Sequence, residues 1–170
     1  LEVMQSAAQR DLIARQYVNG FADLFDYALP LLRDYRTRWQ DEAWALVALY
    51  LSLLKKFPDT HIARKQGETQ ARAVSDGIAG LADELSRAAR PQIFFDRLLR
   101  VDTEFKRQGI NPGTTADLTV AAMLMLRLET IHCAFEPKAG TPRINDTELV
   151  VAGVRTLPVK QQRKEKLLCQ

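Results

Sequence analysis

Cysteine is scarce in this chain: two in 170 residues, Cys133 and Cys169, far apart and without Cys-x-x-Cys spacing. That leaves no basis for a disulfide framework and makes a cytoplasmic protein the default expectation. Histidine is equally sparse. His132 adjoins Cys133 but no further ligands follow at metal spacing, so no zinc module is expected. No apolar run reaches the length of a membrane span, and no basic-then-apolar signal pattern opens the chain. Convincing period-two alternation is absent too, which removes strands from the expected elements. The body also lacks an excess of one charge. Arg155, Lys160, Arg163, Lys164 and Lys166 against Glu165 give the last 16 residues a net +4, so the chain's +3 leaves −1 for everything before them. The pI of 9.0 therefore belongs to the tail. With no aromatics interleaved among those cations, a nucleic-acid partner is not expected.

What remains is an ordinary globular composition, 46% hydrophobic and 26% charged, enough for one core. It opens Leu1-Glu2-Val3-Met4, without an initiating methionine, and reads as cut from a longer polypeptide. Apolar residues recur at helical spacing along most of it. Gln5 to Val18 is amphipathic through Leu12, Ile13 and Tyr17, and Asn19-Gly20 breaks it. Phe21, Leu24, Phe25, Tyr27 and Ala28 mark a further turn or two, which Pro30 ends or kinks. Trp39 to Lys56 is the clearest core helix. Ala43, Leu46, Val47, Tyr50, Leu51 and Leu54 form its stripe, and Ala45, Ala48, Leu49 and Leu53 extend the apolar surface round the other side. Trp39 and Trp44 belong to the core or its rim. Glu68 to Ala89 is one long helix with Gly77 and Gly80 as weak points. Pro91 suits the first position of the next helix, buried through Ile93, Leu98, Leu99, Val101 and Phe105, and Gly109 closes it. The expected fold is all-α, a multi-helix bundle over residues 1–134 with a buried C-terminal core helix. Residues 135–170 read as an irregular basic tail, with an ambiguous short apolar run from Leu149 to Val154.

Two stretches break the helical monotony with chemistry. Gly109-Ile110-Asn111-Pro112-Gly113-Thr114-Thr115-Ala116-Asp117 is a tight turn that launches a helix. Thr114 is a suitable N-cap and Asp117, three residues on, completes a capping box. The helix behind it, Leu118 to Leu126, is apolar on nearly every face. Its mouth presents N–H groups and a positive dipole end, which suit phosphate. The second stretch is Asp59-Thr60-His61-Ile62-Ala63-Arg64-Lys65-Gln66-Gly67, where a helix from Thr60 puts His61 and Arg64 or Lys65 on one face.

Together, these two stretches resemble the triphosphoribosyl-dephospho-CoA synthase family (ATP:dephospho-CoA triphosphoribosyltransferases), which carries an Asp-Ser/Thr-x-Ile-x-Arg-Lys-x-Gly segment and, later, an Asn-x-Gly-Ser/Thr-Ser/Thr-Ala-Asp-Leu segment. The likeness covers about residues 11–126. It implies an all-helical transferase that joins ATP to dephospho-CoA, displaces adenine and leaves a triphosphoribosyl unit on the acceptor's ribose 2′-hydroxyl. A branch of the family in one-carbon metabolism has an unassigned acceptor, and the Asp59–Lys65 spelling looks more like that branch. Such chemistry needs cations and Mg²⁺ for the triphosphate, a carboxylate near the ribosyl centre and a base for the acceptor hydroxyl. The candidates are Arg64, Lys65, Asn111, Gly113, Thr114 and Thr115 for phosphate, Asp59 and Asp117 for Mg²⁺ or the ribosyl centre, and His61 for the base.

Each candidate has a plainer reading: Asp59 as a helix N-cap after Pro58, Asp117 as a capping-box member, Arg64 and Lys65 as a solvated face. The resemblance also implies an additional N-terminal half, absent here, that completes the site in cis or as a second polypeptide. A homo-oligomer is among the expected partners, and a non-catalytic helical module binding nucleotide or protein is the alternative function.

Overall fold

The computed structural model describes residues 2–135, with side-chain surroundings for residues 4–131. Among them every regular element is helical: α1 Glu2–Ala8, α2 Leu12–Val18, a π-helical segment Asp23–Ala28, α3 Leu29–Trp39, α4 Glu42–Lys56, α5 Thr60–Gln66, α6 Glu68–Arg87, a 3-10 turn Pro91–Phe94, α7 Phe95–Arg107 and α8 Gly113–Phe135. The all-α expectation holds. No helix of the described residues is long and apolar enough to cross a membrane. The expected basic tail and the run from Leu149 to Val154 lie outside the described residues; Phe135 is the last residue of α8. Residues Leu1–Arg127 form one compact unit, and a second begins at Leu128, where only the last turns of α8 are described.

Local chemistry explains where the boundaries fall. The helix expected from Gln5 to Val18 is two helices, because Asp11 starts α2 afresh: its Oδ1 accepts from the N–H groups of Ile13 at 2.8 Å and Ala14 at 3.1 Å. Pro30 sits in the first turn of α3, directly after the π-helical segment, where Leu29 N–H closes back on Leu24 O; the helix changes its winding there rather than stopping. The helix expected from Trp39 also divides. Gln40 takes a left-handed φ of 52°, and Asp41 caps α4 by accepting from Trp44 N–H at 3.2 Å. Gly67 joins α5 to α6 alone, at φ 94° and ψ 158°, a conformation glycine holds without strain. α7 ends in a Schellman arrangement: Gly109 is left-handed, Gly109 N–H donates to Lys106 O and Ile110 N–H to Phe105 O.

The core is laid on α4, which packs against α3 and α6. Ala45, Ala48, Leu49, Leu51, Ser52, Leu53 and Leu54 are its buried residues, whereas Ala43 and Val47 from the expected stripe are exposed. α6 answers with Ala71, Val74, Ile78, Leu81, Ala82 and Leu85, while Gly77 and Gly80 lie on its outer side and do not interrupt it. α8 corrects the expectation of a helix buried all round. Leu118, Ala122 and Leu126 are buried, but Val120, Leu124, Leu128 and Ile131 are more than half exposed.

Candidate functional site

The two chemical stretches meet. Pro58 stops α4 and Asp59 starts α5, its Oδ1 accepting from His61 N–H at 2.8 Å and Ile62 N–H at 3.1 Å. Its second oxygen crosses to the other stretch, where Oδ2 accepts from Thr115 N–H at 2.7 Å and Thr115 Oγ1–H at 2.8 Å. One carboxylate thus caps two helices whose starts are more than fifty residues apart. Beside it, Thr60 Oγ1 and Thr114 Oγ1 share a hydrogen bond of 3.0 Å, and Leu12 N–H at the start of α2 donates to Thr60 Oγ1 at 3.4 Å. At the far end of α5, Gln66 Nε2 donates to Gln108 O and Gly109 O, which holds the turn before α8.

This seam revises several expected roles. Asp59 is fully buried, with two donors on each oxygen, so it presents neither surface nor lone pair to Mg²⁺ or a ribosyl centre. The capping box does not form: Thr114 turns its hydroxyl to Thr60, Asp59 takes the cap, and Asp117 lies exposed. Thr114 and Thr115 are buried, and the N–H of Thr115 is already spent on a carboxylate, so the mouth of α8 is not an open phosphate cradle. Gly113 is partly covered and Asn111 exposed at the lip. Among the described residues no three His, Cys, Asp or Glu side chains group to hold a metal.

His61 is engaged by its neighbour. Arg64 Nη2 lies 3.3 Å from His61 Nδ1, and a guanidinium has no acceptor. In the tautomer that makes this contact a hydrogen bond, Nδ1 accepts and the ring proton sits on Nε2. The ring packs where a Cβ on Gly113 would touch it at 3.4 Å, and Nε2 is buried without a partner among the described residues. In that tautomer both ring nitrogens of His61 are committed, one to Arg64 and one to its proton. Arg64 Nη1 also reaches Asp11 Oδ2 at 3.1 Å, so α5 is tied to α2 at a mostly exposed site. Lys65 is exposed on the same short helix.

Sequence reasoning missed the polar cluster at the other end of α2. Asp23 Oδ2 gathers Arg15 Nε and Nη2 at 3.0 and 2.7 Å, Gln16 Nε2 at 2.6 Å and Asn19 Nδ2 at 3.3 Å. The Arg15 guanidinium lies over the Phe57 ring, one residue before Pro58, so this cluster adjoins the α4–α5 junction. Two successive left-handed residues, Gly20 and Phe21, turn the chain back to make it, and the π-helical turn starts at Asp23. A bulky left-handed residue and a π turn are both costly, and both gather at functional places. Asn19-Gly20 was the only sequence sign of it. Burial alone would raise the Asp23 pKa, but the bonds from Gln16, Arg15 and Asn19 and the charge of Arg15 outweigh it and hold it below the ordinary value. A depressed carboxyl stabilises the fold above its unfolded pKa, about 3.9, and that contribution is lost as pH falls through the lowered folded value. Asp23→Asn is accordingly expected to cost about 1 kcal/mol at pH 6, a difference that shrinks as pH falls below about 3.9 and through the lowered folded pKa, measured by urea unfolding. A difference that persists at the acid end would mean shape, not charge, carries the cluster.

The sequence is similar to those of known proteins. A family model described as ATP:dephospho-CoA triphosphoribosyl transferase matches residues 1–134. The 2-(5''-triphosphoribosyl)-3'-dephosphocoenzyme-A synthase of Pectobacterium atrosepticum is 26% identical over 112 residues, 66% of this chain and 35% of the relative. A probable synthase of the same name from Pseudomonas fluorescens is 26% identical over 114 residues, 65% of this chain and 38% of the relative. The chain thus spans little more than a third of the curated relatives it matches. No solved structure matches.

Proposed function

The chain belongs to the ATP:dephospho-CoA triphosphoribosyl transferase family, and on that premise we propose that it forms part of an enzyme transferring a triphosphoribosyl unit from ATP to dephospho-CoA or a related acceptor. The reaction breaks the bond between ribose C1′ and the adenine nitrogen and forms one from C1′ to the acceptor's 2′-oxygen. The hydroxyl proton leaves with adenine. The observation that carries the reading is the seam itself: Asp59 fastens both family-like stretches together, with Arg64 and Lys65 on its outer side.

In this reading Asp59 positions rather than reacts. Arg64 and Lys65 receive the triphosphate, as Asn111 at the lip does, since charge-assisted bonds to phosphate are the strong ones. Asp117, exposed one turn into α8, is the carboxylate available to face the ribosyl centre. Mg²⁺, if bound, would sit on the nucleotide's own phosphates and neutralise their charge, with Asp117 the exposed carboxylate that could reach it. The base comes from the rest of a synthase-length enzyme, as His61 is engaged by Arg64.

The test is adenine release from ATP, followed by chromatography, with this chain assembled with the rest of a synthase and supplied with dephospho-CoA. Lys65→Ala should raise the KM for ATP about tenfold and leave kcat within about twofold, because a cation on phosphate acts in ground and transition states alike. Arg64→Ala should affect both parameters, since it also releases Asp11 and His61. Saturable ATP binding without adenine release would instead favour a non-catalytic nucleotide-binding module.

A further inference from the structure

The groove between α4 and α7 has no counterpart in this reaction. It encloses about 420 Å³. Trp44 and Val47 of α4 form one wall, Phe95, Leu98 and Leu99 of α7 the other, and Asp102 supplies a carboxylate. Phe95 is 59% exposed and Leu99 53%, with Ile93 just before them at 73%. α7 is strongly amphipathic, yet none of its thirteen residues is fully buried. Leu98, Val101 and Phe105 pack against the core, but Phe95 and Leu99 stay exposed beside them, and an apolar strip that its own fold leaves open marks an interface.

We propose that this groove is the docking seat for the part of the synthase polypeptide that lies outside the stretch this chain matches, and that it takes an amphipathic helix. The inference rests on the transferase reading. Relative length argues for this occupant: about a third of each curated relative is accounted for here, so most of a synthase polypeptide lies beyond the match. A cleft between two helices accepts a third by ridge-into-groove packing, with anchors at helical spacing. Asp102 sets the register. Its carboxylate pairs with Lys106 at 2.6 Å in an exposed i,i+4 bridge, and such a bridge is readily exchanged for a Lys or Arg on the incoming helix.

The probe is the portion of the Pectobacterium atrosepticum synthase outside the 112 matched residues, co-expressed with tagged chain. Copurification and light scattering should show a one-to-one complex. Leu99→Asp and, on the opposite wall, Val47→Glu should each weaken it at least tenfold, an effect of the size expected for a central interface residue. Both positions are exposed, so circular dichroism of the variants should match wild type. Two variants on different helices keep the test valid if one fails to fold. No complex, or a complex indifferent to both substitutions, would overturn the proposal. So would a dimer of this chain that the same substitutions dissociate, because the seat would then belong to a second copy. A complex that forms through this groove but releases no adenine would sink the transferase reading and leave the docking seat standing.

Discussion

Asp59→Ala is expected to lower the unfolding free energy by about 4 kcal/mol, out of a total that for such domains is on the order of 5–15 kcal/mol. The side chain is fully buried and receives four donors: the N–H groups of His61, Ile62 and Thr115, and the Thr115 hydroxyl. Alanine orphans all four in a place water reaches poorly, and each orphan costs roughly 1–3 kcal/mol before relaxation. Asp59→Asn keeps the shape but replaces an acceptor oxygen with a donor facing other donors, so about 2–3 kcal/mol should go. Urea unfolding followed by circular dichroism measures both. Thr115→Val removes one donor, and its double-mutant cycle with Asp59→Asn should show coupling above roughly 1 kcal/mol. A variant Asp59→Asn within 0.5 kcal/mol of wild type, a margin typical of a surface change, would mean the carboxylate does not hold the seam. In the assembled enzyme, lost stability with turnover per folded molecule unchanged would separate a structural cap from a residue that positions the site.

Leu49→Ala should be comparably damaging, by about 3–4 kcal/mol. Leu49 is 0% exposed at the middle of α4, between α3 and α6, so truncation leaves a cavity that helices on two sides cannot both close. For a chain of this size that is a fall in Tm on the order of 10 °C. Val47, two residues away on the same helix, is 36% exposed, and Val47→Ala should cost under about 1 kcal/mol. Thermal melts of the pair decide which face of α4 is core. Equal losses would mean that the groove side of α4 is as buried as the α6 side, and would undercut the docking seat as well.

That pair also shows how much the sequence carried. α4 is apolar round most of its circumference, so periodicity located the helix but left two candidate faces, and the stripe containing Ala43 and Val47 turned out to be the more exposed. The choice is made by α3 and α6, elements distant in sequence, and no local pattern encodes where they pack. Boundaries behaved differently. Gly109 was legible because a left-handed C′ residue is a local event, and the Schellman bonds that follow need nothing from elsewhere. Asp11 and Asp41 divided two expected helices by the same local mechanism, side chain to backbone within three residues, and could have been found by it.

The candidate site divides along the same line. Its two stretches stood out because polar residues, turns and a cap lay close together in sequence. Spacing alone suggested that Thr114 and Asp117 cap α8. Yet a helix mouth takes whichever acceptor is nearest in space, and tertiary packing brings Asp59 there first. The Asp23 cluster was illegible for a related reason: a π turn and a left-handed Phe21 have no composition of their own, and only the surrounding contacts make them affordable. By itself, then, the sequence determined an all-α chain, most of its helix ends and two stretches of suitable chemistry, because those follow from backbone preference and short-range bonding. Only the tertiary structure decided that one buried carboxylate joins the stretches, that His61 is turned to Arg64, and that Phe95 and Leu99 of α7 are left exposed while Leu98, Val101 and Phe105 pack on the core. Those outcomes depend on which groups compete for the same space, and that competition is settled between residues the chain keeps far apart.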